Sequence, residues 1–159
     1  AAKGFAWGAE LPCCGVSTLE AMALSLGAHE GYVLPVMDAR RNQVYTALFH
    51  ACGGKLTRVA QDRAISLQEL EAEIKNLSEP IFLVGDGSVL CYNMLKEAVP
   101  CLVCPPEHRM HQRAAGVALV AKELILQGQP GDAAALAPNY LRLSQAERER
   151  LEKENKGDK

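Results

Sequence analysis

The stretch 31–60, GYVLPVMDARRNQVYTALFHACGGKLTRVA, decides the fold. It predicts three strands, over residues 32–37, 44–50 and 56–60, because these runs are rich in β-branched and aromatic residues. The two segments between them are short and rich in polar residues or glycine, which is typical of turns. Strands joined by such short turns pair antiparallel, so the stretch predicts a three-stranded meander.

Downstream of this stretch the apolar period changes from two residues to that of a helix. Residues 67–77 predict a helix with one apolar stripe, and Ser66 and Glu69 predict a capping box at its start. A strand, a helix, a strand and a helix follow, over residues 81–84, 89–98, 101–104 and about 108–127. The order β-β-β-α-β-α-β-α predicts an α/β protein with a mixed sheet and helices on both faces. It resembles the ribonuclease-H-like lobe of actin-like ATPases, which we expect over residues 31–143.

The first 30 residues do not fit into this order. They predict a helix at AAKGFAWGAEL, a strand over residues 12–17, and a second helix that begins at Ser17 or Thr18 and ends at Gly27. We expect residues 1–30 to be the remnant of an N-terminal lobe, since the chain starts at Ala1 without an initiator methionine or a capping residue. Five apolar side chains would then lack a core and pack against a second copy of the chain or an N-terminal part: Phe5, Trp7, Leu11, Val16 and Leu19.

The composition excludes several classes of protein. Of the 159 residues, 48% are apolar and 23% are charged, which are ordinary values for a globular domain and exclude wholesale disorder. The net charge of -2 argues against binding to nucleic acid or anionic membranes by charge alone. No apolar run approaches the ~18 residues of a membrane span, and no signal peptide is recognisable. We expect a soluble protein with a balanced charged tail over residues 144–159.

The cysteines predict a reducing environment. They lie mostly inside apolar runs, where cysteine acts as a small hydrophobic residue, so we expect reduced thiols and a cytoplasmic location. Cys101, Cys104, His108 and His111 resemble a set of zinc ligands, but their spacing is too short for a standard finger. Two cysteines three residues apart on a strand also face opposite sides. No metal site is predicted there.

Two carboxylates follow predicted strands at the sheet edge where open α/β folds bind ligands. Asp38 ends the first strand and Asp86 follows the fourth. The favoured interpretation is that both are turn residues that bond their own backbone. The alternative is a pair of Mg²⁺ ligands in a phosphoryl-transfer or nuclease-type enzyme. A third carboxylate would come from Glu69, Glu71 or Glu73, although these lie mostly away from the apolar stripe of their helix.

The turn Gly85-Asp86-Gly87-Ser88 leads from a strand into a helix, a context in which backbone N–H groups can face an anion. Leu90 stands where a third glycine would complete a dinucleotide pattern, and no GxxxxGK[ST] is present, so a simple tight turn is the favoured interpretation. The candidate ligand-binding residues are Asp38, Arg40, Gly85, Asp86, Gly87 and Ser88. No catalytic set is recognisable and no cofactor is predicted.

Three blocks of the chain resemble the bacterial TsaB (YeaZ) family: KGFAWGAELPCCGVSTLEAMA, VLPVMDARRNQVYTALF and PNYLRLSQAERE. Between the last two, FLVGDGS matches the family's strand and glycine turn. The resemblance spans residues 2–149, and its most specific parts are STLEA and DAR-x-x-x-VY in this order. In the family, a longer front part with a segment like GPGSFTGLR precedes the first block.

The resemblance implies an actin-like ATPase fold and the older label glycoprotease, but none of the catalytic and metal-binding residues of the paralogue TsaD. It implies a scaffold for TsaD, acting with the ATPase TsaE, in placing a threonylcarbamoyl group on adenosine 37 of ANN-decoding tRNAs. A homodimer is also implied, through a surface that lies mostly on the first lobe. We expect no direct contact between this chain and tRNA.

Overall fold

The computed structural model of the chain describes residues 1–27, 29–104, 106–129 and 131–141. Its helices are α1 (Ala2–Gly8), α2 (Thr18–Ser25), α3 (Leu67–Ile74), α4 (Ser88–Leu95), α5 (Glu107–Met110) and α6 (Ala114–Leu126). Its strands are β1 (Gly31–Asp38), β2 (Gln43–Cys52), β3 (Lys55–Ser66), β4 (Ile81–Val84) and β5 (Leu102–Val103). The predicted end of the lobe at residue 143, the tail over 144–159 and most of the third family block lie outside the described residues.

The strands form one mixed sheet in the order β3-β2-β1-β4-β5. β1 pairs antiparallel with β2, with Asp38 opposite Val44, and β2 pairs antiparallel with β3. β4 lies parallel to β1 on its other side, and β5 lies parallel to β4. The predicted meander is confirmed, and so are the two parallel strands that follow it.

Local caps and turns set the bounds of these elements. Ser17 accepts a hydrogen bond from the N–H of Glu20 at the start of α2, as the STLE pattern predicts. Ser66 and Glu69 make the predicted capping box of α3. The turn between β2 and β3 contains two glycines with φ of 56° and 74°, which an L side chain rarely adopts.

Helices cover both faces of the sheet, and each face has its own apolar core. On one face α3 and α4 pack on the sheet around Leu34, Leu70 and Leu83. On the other face α2 packs on β1 and β2, and both Met22 and Phe49 are fully buried there. α6 packs against α2. The expected α/β architecture with helices on both faces is therefore confirmed.

The predicted strand over residues 12–17 is wrong. This segment makes one isolated antiparallel bridge, in which Cys13 and Gly131 exchange backbone hydrogen bonds of 3.1 and 2.6 Å. The segment has strand-like composition, but no strand of the described sheet pairs with it. Leu19 was expected to lack a core, but it is 3% exposed in the core beneath α2. The domain boundary at residue 30 stays a prediction.

The predicted helix over residues 108–127 is interrupted. α5 ends at Met110, His111 has an extended ψ of 147°, and α6 begins at Ala114. The segment HRMHQRA contains no proline or glycine, so no local signal marks the break. A long-range contact accompanies it, because the N–H of Gly85 donates to the carbonyl of Met110 over 2.7 Å. β3 is longer than predicted and continues through residues 61–66.

Two further observations concern the environment of the chain. Among the helices that the structure describes, none has the length and apolar character needed to cross a bilayer. Cysteines 13, 14, 52, 91, 101 and 104 are free thiols. The cytoplasmic location stays a prediction.

Candidate functional site

The structure brings the two predicted turns together. β1 and β4 are parallel neighbours, so their carboxyl ends lie at the same edge of the sheet. The N–H of Gly87 donates to the carbonyl of Val36 over 3.1 Å, and a Cβ added at Gly87 would lie 3.2 Å from the backbone nitrogen of Asp38. The turn after β4 therefore packs directly on the end of β1.

Asp38 acts as a turn residue. Its Oδ1 accepts a hydrogen bond of 2.7 Å from the N–H of Arg40, two residues further along. This bond supports the left-handed turn that follows, in which Arg40, Arg41 and Asn42 have φ of 62°, 55° and 56°. The favoured interpretation of Asp38 is therefore confirmed by its geometry.

Two of the three glutamates of α3, Glu69 and Glu73, have structural partners. Glu69 accepts hydrogen bonds from the N–H and the hydroxyl of Ser66, and these bonds lower the pKa of its carboxyl group. Glu73 forms an ion pair with Arg63. Within the described ranges, no three His, Cys, Asp or Glu side chains are grouped so that they could hold a metal ion. The carboxylate cluster that the metal-dependent alternative requires is not found there.

The backbone donors of the glycine turn are largely used inside the chain. Besides the bond from Gly87, Gly85 donates to Met110, and Ser88 donates to the carbonyl of Gly85 over 3.2 Å. Gly85 has a φ of 113°, and a Cβ there would lie 2.2 Å from the carbonyl oxygen of Val36. Close packing against β1 therefore explains why residue 85 is a glycine, and no bound ligand is needed to explain it. The ligand-binding role of the six candidate residues stays a prediction.

Cys101 and Cys104, the two cysteines whose spacing resembles a zinc site, have different surroundings. The thiol of Cys101 donates to the carbonyl of Leu77 over 3.3 Å. Burial raises the pKa of the Cys104 thiol, and it raises the pKa of the fully buried Cys91 to about 12, with a smaller contribution from Cys104. The Cys91 and Cys104 thiols therefore stay protonated at neutral pH.

A groove on the α2 face of the sheet is a second feature, and the sequence did not predict it. Its volume is about 580 Å³, within the ~300–1,000 Å³ of ligand pockets. It is lined by residues 15–19, Met37, Tyr45, Asp62 and residues 137–141. Parts of the three blocks that carry the family resemblance therefore meet in this groove. They are residues 15–19 from the first block, Met37 and Tyr45 from the second, and residues 138–141 from the third.

A group of hydrogen-bonded polar and charged residues adjoins this groove, which two of its members, Ser17 and Asp62, line. The Arg58 guanidinium bonds Oδ1 of Asp62 and Oε2 of Glu20, and it lies 4.6 Å from the centre of the Phe49 ring. The hydroxyl of Ser17 donates to Oδ2 of Asp62 over 2.5 Å. Burial alone would lower the pKa of Arg58, but its bonds to the two carboxylates outweigh burial and raise it. We call Ser17, Glu20, Arg58 and Asp62 the Arg58 cluster.

Two irregularities of β3 explain why the pattern of the sequence did not reveal this cluster. The pairing with β2 shifts register on both sides of Leu48. Such bulges turn side chains to the other face, so Arg58 lies above Phe49 whereas Ala60 packs in the opposite core. The stretch KLTRVAQDRA mixes apolar and polar residues without strict alternation, so its pattern does not specify which face of the strand is buried.

Comparison with known proteins agrees with this architecture. Residues 1–150 match the family described as TsaD: tRNA N6-adenosine threonylcarbamoyltransferase. The chain belongs to this family. Within it, the chain is a TsaB/YeaZ-like protein, since it is 30% identical over 152 residues to the tRNA threonylcarbamoyladenosine biosynthesis protein TsaB of Bacillus subtilis (strain 168). The matched region is 95% of this chain and 65% of that protein.

Two solved structures share the fold. A Pseudomonas aeruginosa protein described as similar to peptidase YEAZ gives a TM-score of 0.65 at 19% identity, over 88% of this chain and 63% of that one. YeaZ from Pseudomonas aeruginosa gives a TM-score of 0.62 at 16% identity, over 87% of this chain and 64% of that one. This TsaB/YeaZ-like chain therefore spans slightly less than two thirds of the length of the relatives that it matches.

Proposed function

We propose that this chain takes part in forming N6-threonylcarbamoyladenosine at position 37 of tRNA, as a non-catalytic scaffold subunit for a TsaD-like partner. The name of the Bacillus subtilis relative and the family to which the chain belongs support the pathway. A TsaE-like protein belongs to the same proposed assembly. The chain itself makes no contact with tRNA in this proposal, in agreement with its net charge of -2.

The observation that carries the scaffold role is the bonding within the Arg58 cluster. Ser17 and Glu20 belong to STLEA, one of the two most specific parts of the family resemblance, and both are bonded to other groups of the chain. The Ser17 hydroxyl donates to Asp62 and accepts from the N–H of Glu20, while Arg58 joins the two carboxylates. Polar groups bonded in this way hold α2 against β3, which is a structural role and supports a scaffold.

The experiment is a pull-down of purified TsaD-like protein by this chain, with Bacillus subtilis TsaB as the positive control. We expect retention of the partner, and we expect no threonylcarbamoyl transfer to tRNA by this chain in the absence of the partner. Adding a TsaE-like protein to the same pull-down tests whether it joins the proposed assembly. Transfer by this chain without a partner would overturn the non-catalytic role. Failure to retain the partner, when the positive control retains it, would overturn the scaffold role.

A further inference from the structure

The groove on the α2 face combines an apolar lining with one charged group. Its volume of about 580 Å³ suits a small molecule. Most of its lining is apolar or aromatic, and the largest of these side chains are Leu19, Met37, Tyr45, Tyr140 and Leu141. Within the described ranges, Asp62 is the one charged residue that lines it. The groove is separate from the glycine turn, since none of the described residues 85–88 lines it.

The Asp62 carboxylate can accept further hydrogen bonds from a molecule in this groove. Its side chain is 17% exposed, with Oδ1 bonded to Arg58 and Oδ2 bonded to Ser17. A carboxylate has about four lone-pair sites, so each oxygen has capacity for a second donor. A ligand can therefore bond Asp62 without breaking the bonds that hold the Arg58 cluster together.

The charges of the Arg58 cluster do not balance. The cluster contains two carboxylates, Glu20 and Asp62, but one guanidinium. The start of α2 adds a partial positive charge, since Ser17 is the N-cap residue, but Glu20 in the first turn and Asp62 on the Ser17 hydroxyl both offset it. The surplus is therefore negative, and a concave apolar surface strengthens the attraction of such a charge for a cation.

We propose that this groove binds a small organic cation, whose charged group bonds Asp62 and whose apolar body lies along the groove. A planar amidinium or guanidinium group fits best, because its parallel N–H donors match the two oxygens of a carboxylate. The lining rings of Tyr45 and Tyr140 favour the same class of ligand, since aromatic faces attract cations. An anion is excluded from the groove by Asp62.

Three probes of nearly equal shape separate the effect of charge from that of size. Benzamidine is a cation, benzamide is neutral and benzoate is an anion. We expect benzamidine to give saturable shifts of the Leu19 and Ala137 amide resonances, with binding about tenfold tighter than that of benzamide, because hydrogen bonds to charged groups are the stronger ones. Benzoate should give no saturable shift. Equal binding of benzamidine and benzamide, tighter binding of benzoate, or no response to any probe would overturn the proposal.

Variants assign the preference to this groove. Asp62→Asn removes the charge at nearly constant size and should abolish the preference for benzamidine over benzamide. Asp86→Asn removes an exposed carboxylate that does not line the groove and should leave the preference intact. Tyr140→Leu, at a position that is 83% exposed, should weaken benzamidine binding without loss of stability.

Unchanged benzamidine binding in both Asp62→Asn and Tyr140→Leu would overturn the site. The same loss in Asp86→Asn as in Asp62→Asn would also overturn it, because the attraction would then be that of any carboxylate. Tyr140→Leu keeps the test valid if Asp62→Asn unfolds the chain. None of these readouts uses a TsaD-like or TsaE-like protein, so their outcome is independent of the proposed role in tRNA modification.

Discussion

Arg58 connects β3 to α2 through two carboxylates and one aromatic ring. Truncation to alanine leaves Asp62 and Glu20 without their counter-charge and uncovers the Phe49 ring. We expect Arg58→Ala to reduce the free energy of unfolding by about 1–3 kcal/mol, because hydrogen bonds to charged groups and cation–π contacts at half-buried sites have this size. Urea denaturation measures the loss.

Two variants separate the causes in this prediction. Arg58→Lys keeps the charge but cannot bridge two carboxylates with a planar fork, so we expect an intermediate loss. Arg109→Ala removes an exposed arginine for which no ion pair is found in the described part of the chain, and it should change stability by less than about 0.5 kcal/mol. An Arg58→Ala variant as stable as Arg109→Ala would show that the cluster does not hold α2.

Gly85 combines a positive φ with a backbone contact. Gly85→Ala would place a Cβ 2.2 Å from the Val36 carbonyl oxygen at a φ of 113°. We expect a loss of about 2–4 kcal/mol from backbone strain and displacement of the turn. Gly128→Ala is the matched control, since its φ is 73° but nothing lies within 4 Å of the added Cβ. Thermal unfolding of both variants separates the clash from the strain, and equal losses would contradict the close contact.

Cys91 makes stability depend on pH in the alkaline range. Its pKa is raised from 9.0 to about 12 in the folded chain, so above pH 9 the unfolded chain loses this proton first. The stabilisation is fully present below pH 9 and is lost between pH 9 and about 12, by about 1.4 kcal/mol per pH unit at most. Urea denaturation at several pH values measures it. Cys91→Ala should lack this slope, and parallel profiles for the wild type and the variant would contradict the prediction.

At the scale of elements, α2 and α6 pack closely against each other. A Cβ added at Gly116 would lie 2.1 Å from the Ser25 hydroxyl oxygen and 2.3 Å from the Ala21 carbonyl oxygen. We expect Gly116→Ala to push the helices apart and to cost about 1–3 kcal/mol despite its better helix propensity. Gly4→Ala, with nothing within 4 Å of the new Cβ in α1, should be neutral or stabilising. A stabilising Gly116→Ala in urea denaturation would contradict this packing.

Most elements were predictable because their signals are local. The capping box at Ser66, the two glycines before β3 and the covered strand IFLV each act within a few residues. The errors in the predicted elements arise where contacts between residues far apart in the sequence determine the local structure. Residues 12–17 have the composition of a strand but, among the described residues, pair only in the single bridge between Cys13 and Gly131, and the break before α6 accompanies the bond between Gly85 and Met110. Neither contact can be inferred from local patterns.

At the scale of the whole molecule, the candidate site was predictable only in part. The turns at Asp38 and Gly85 were expected to lie together because parallel strands end at one edge, and they do. The Arg58 cluster joins residues 38 and 45 positions apart along the chain, and bulges in β3 decide which face they occupy. Pairings of this kind depend on tertiary structure, so the Arg58 cluster could not be predicted from the sequence.

The apolar surface of α1 leads to the last prediction, which concerns association of the chain. Phe5 and Trp7 of α1 and Leu11 shortly after it are 73%, 63% and 50% exposed, and large exposed apolar residues concentrated in one segment mark an interaction surface. We expect the chain to form dimers or larger species as its concentration rises. Trp7 is the single tryptophan, so its fluorescence reports on this surface directly. Its emission should shift to shorter wavelength in step with the mass measured by light scattering.

A variant distinguishes this surface from the rest of the molecule. Phe5→Glu places a charge at an exposed apolar position of α1 and should keep the chain monomeric if Phe5 takes part in the contact, because burying an unpaired carboxylate there is costly. Val59→Glu introduces the same charge at another exposed apolar position, 54% exposed on β3, and should leave association unchanged. If the wild-type chain stays a monomer with solvent-like Trp7 emission at high concentration, residues 1–27 do not provide an interaction surface. If both variants lose association equally, the association is caused by exposed apolar side chains in general. A specific contact through α1 would not be weakened by a substitution on β3.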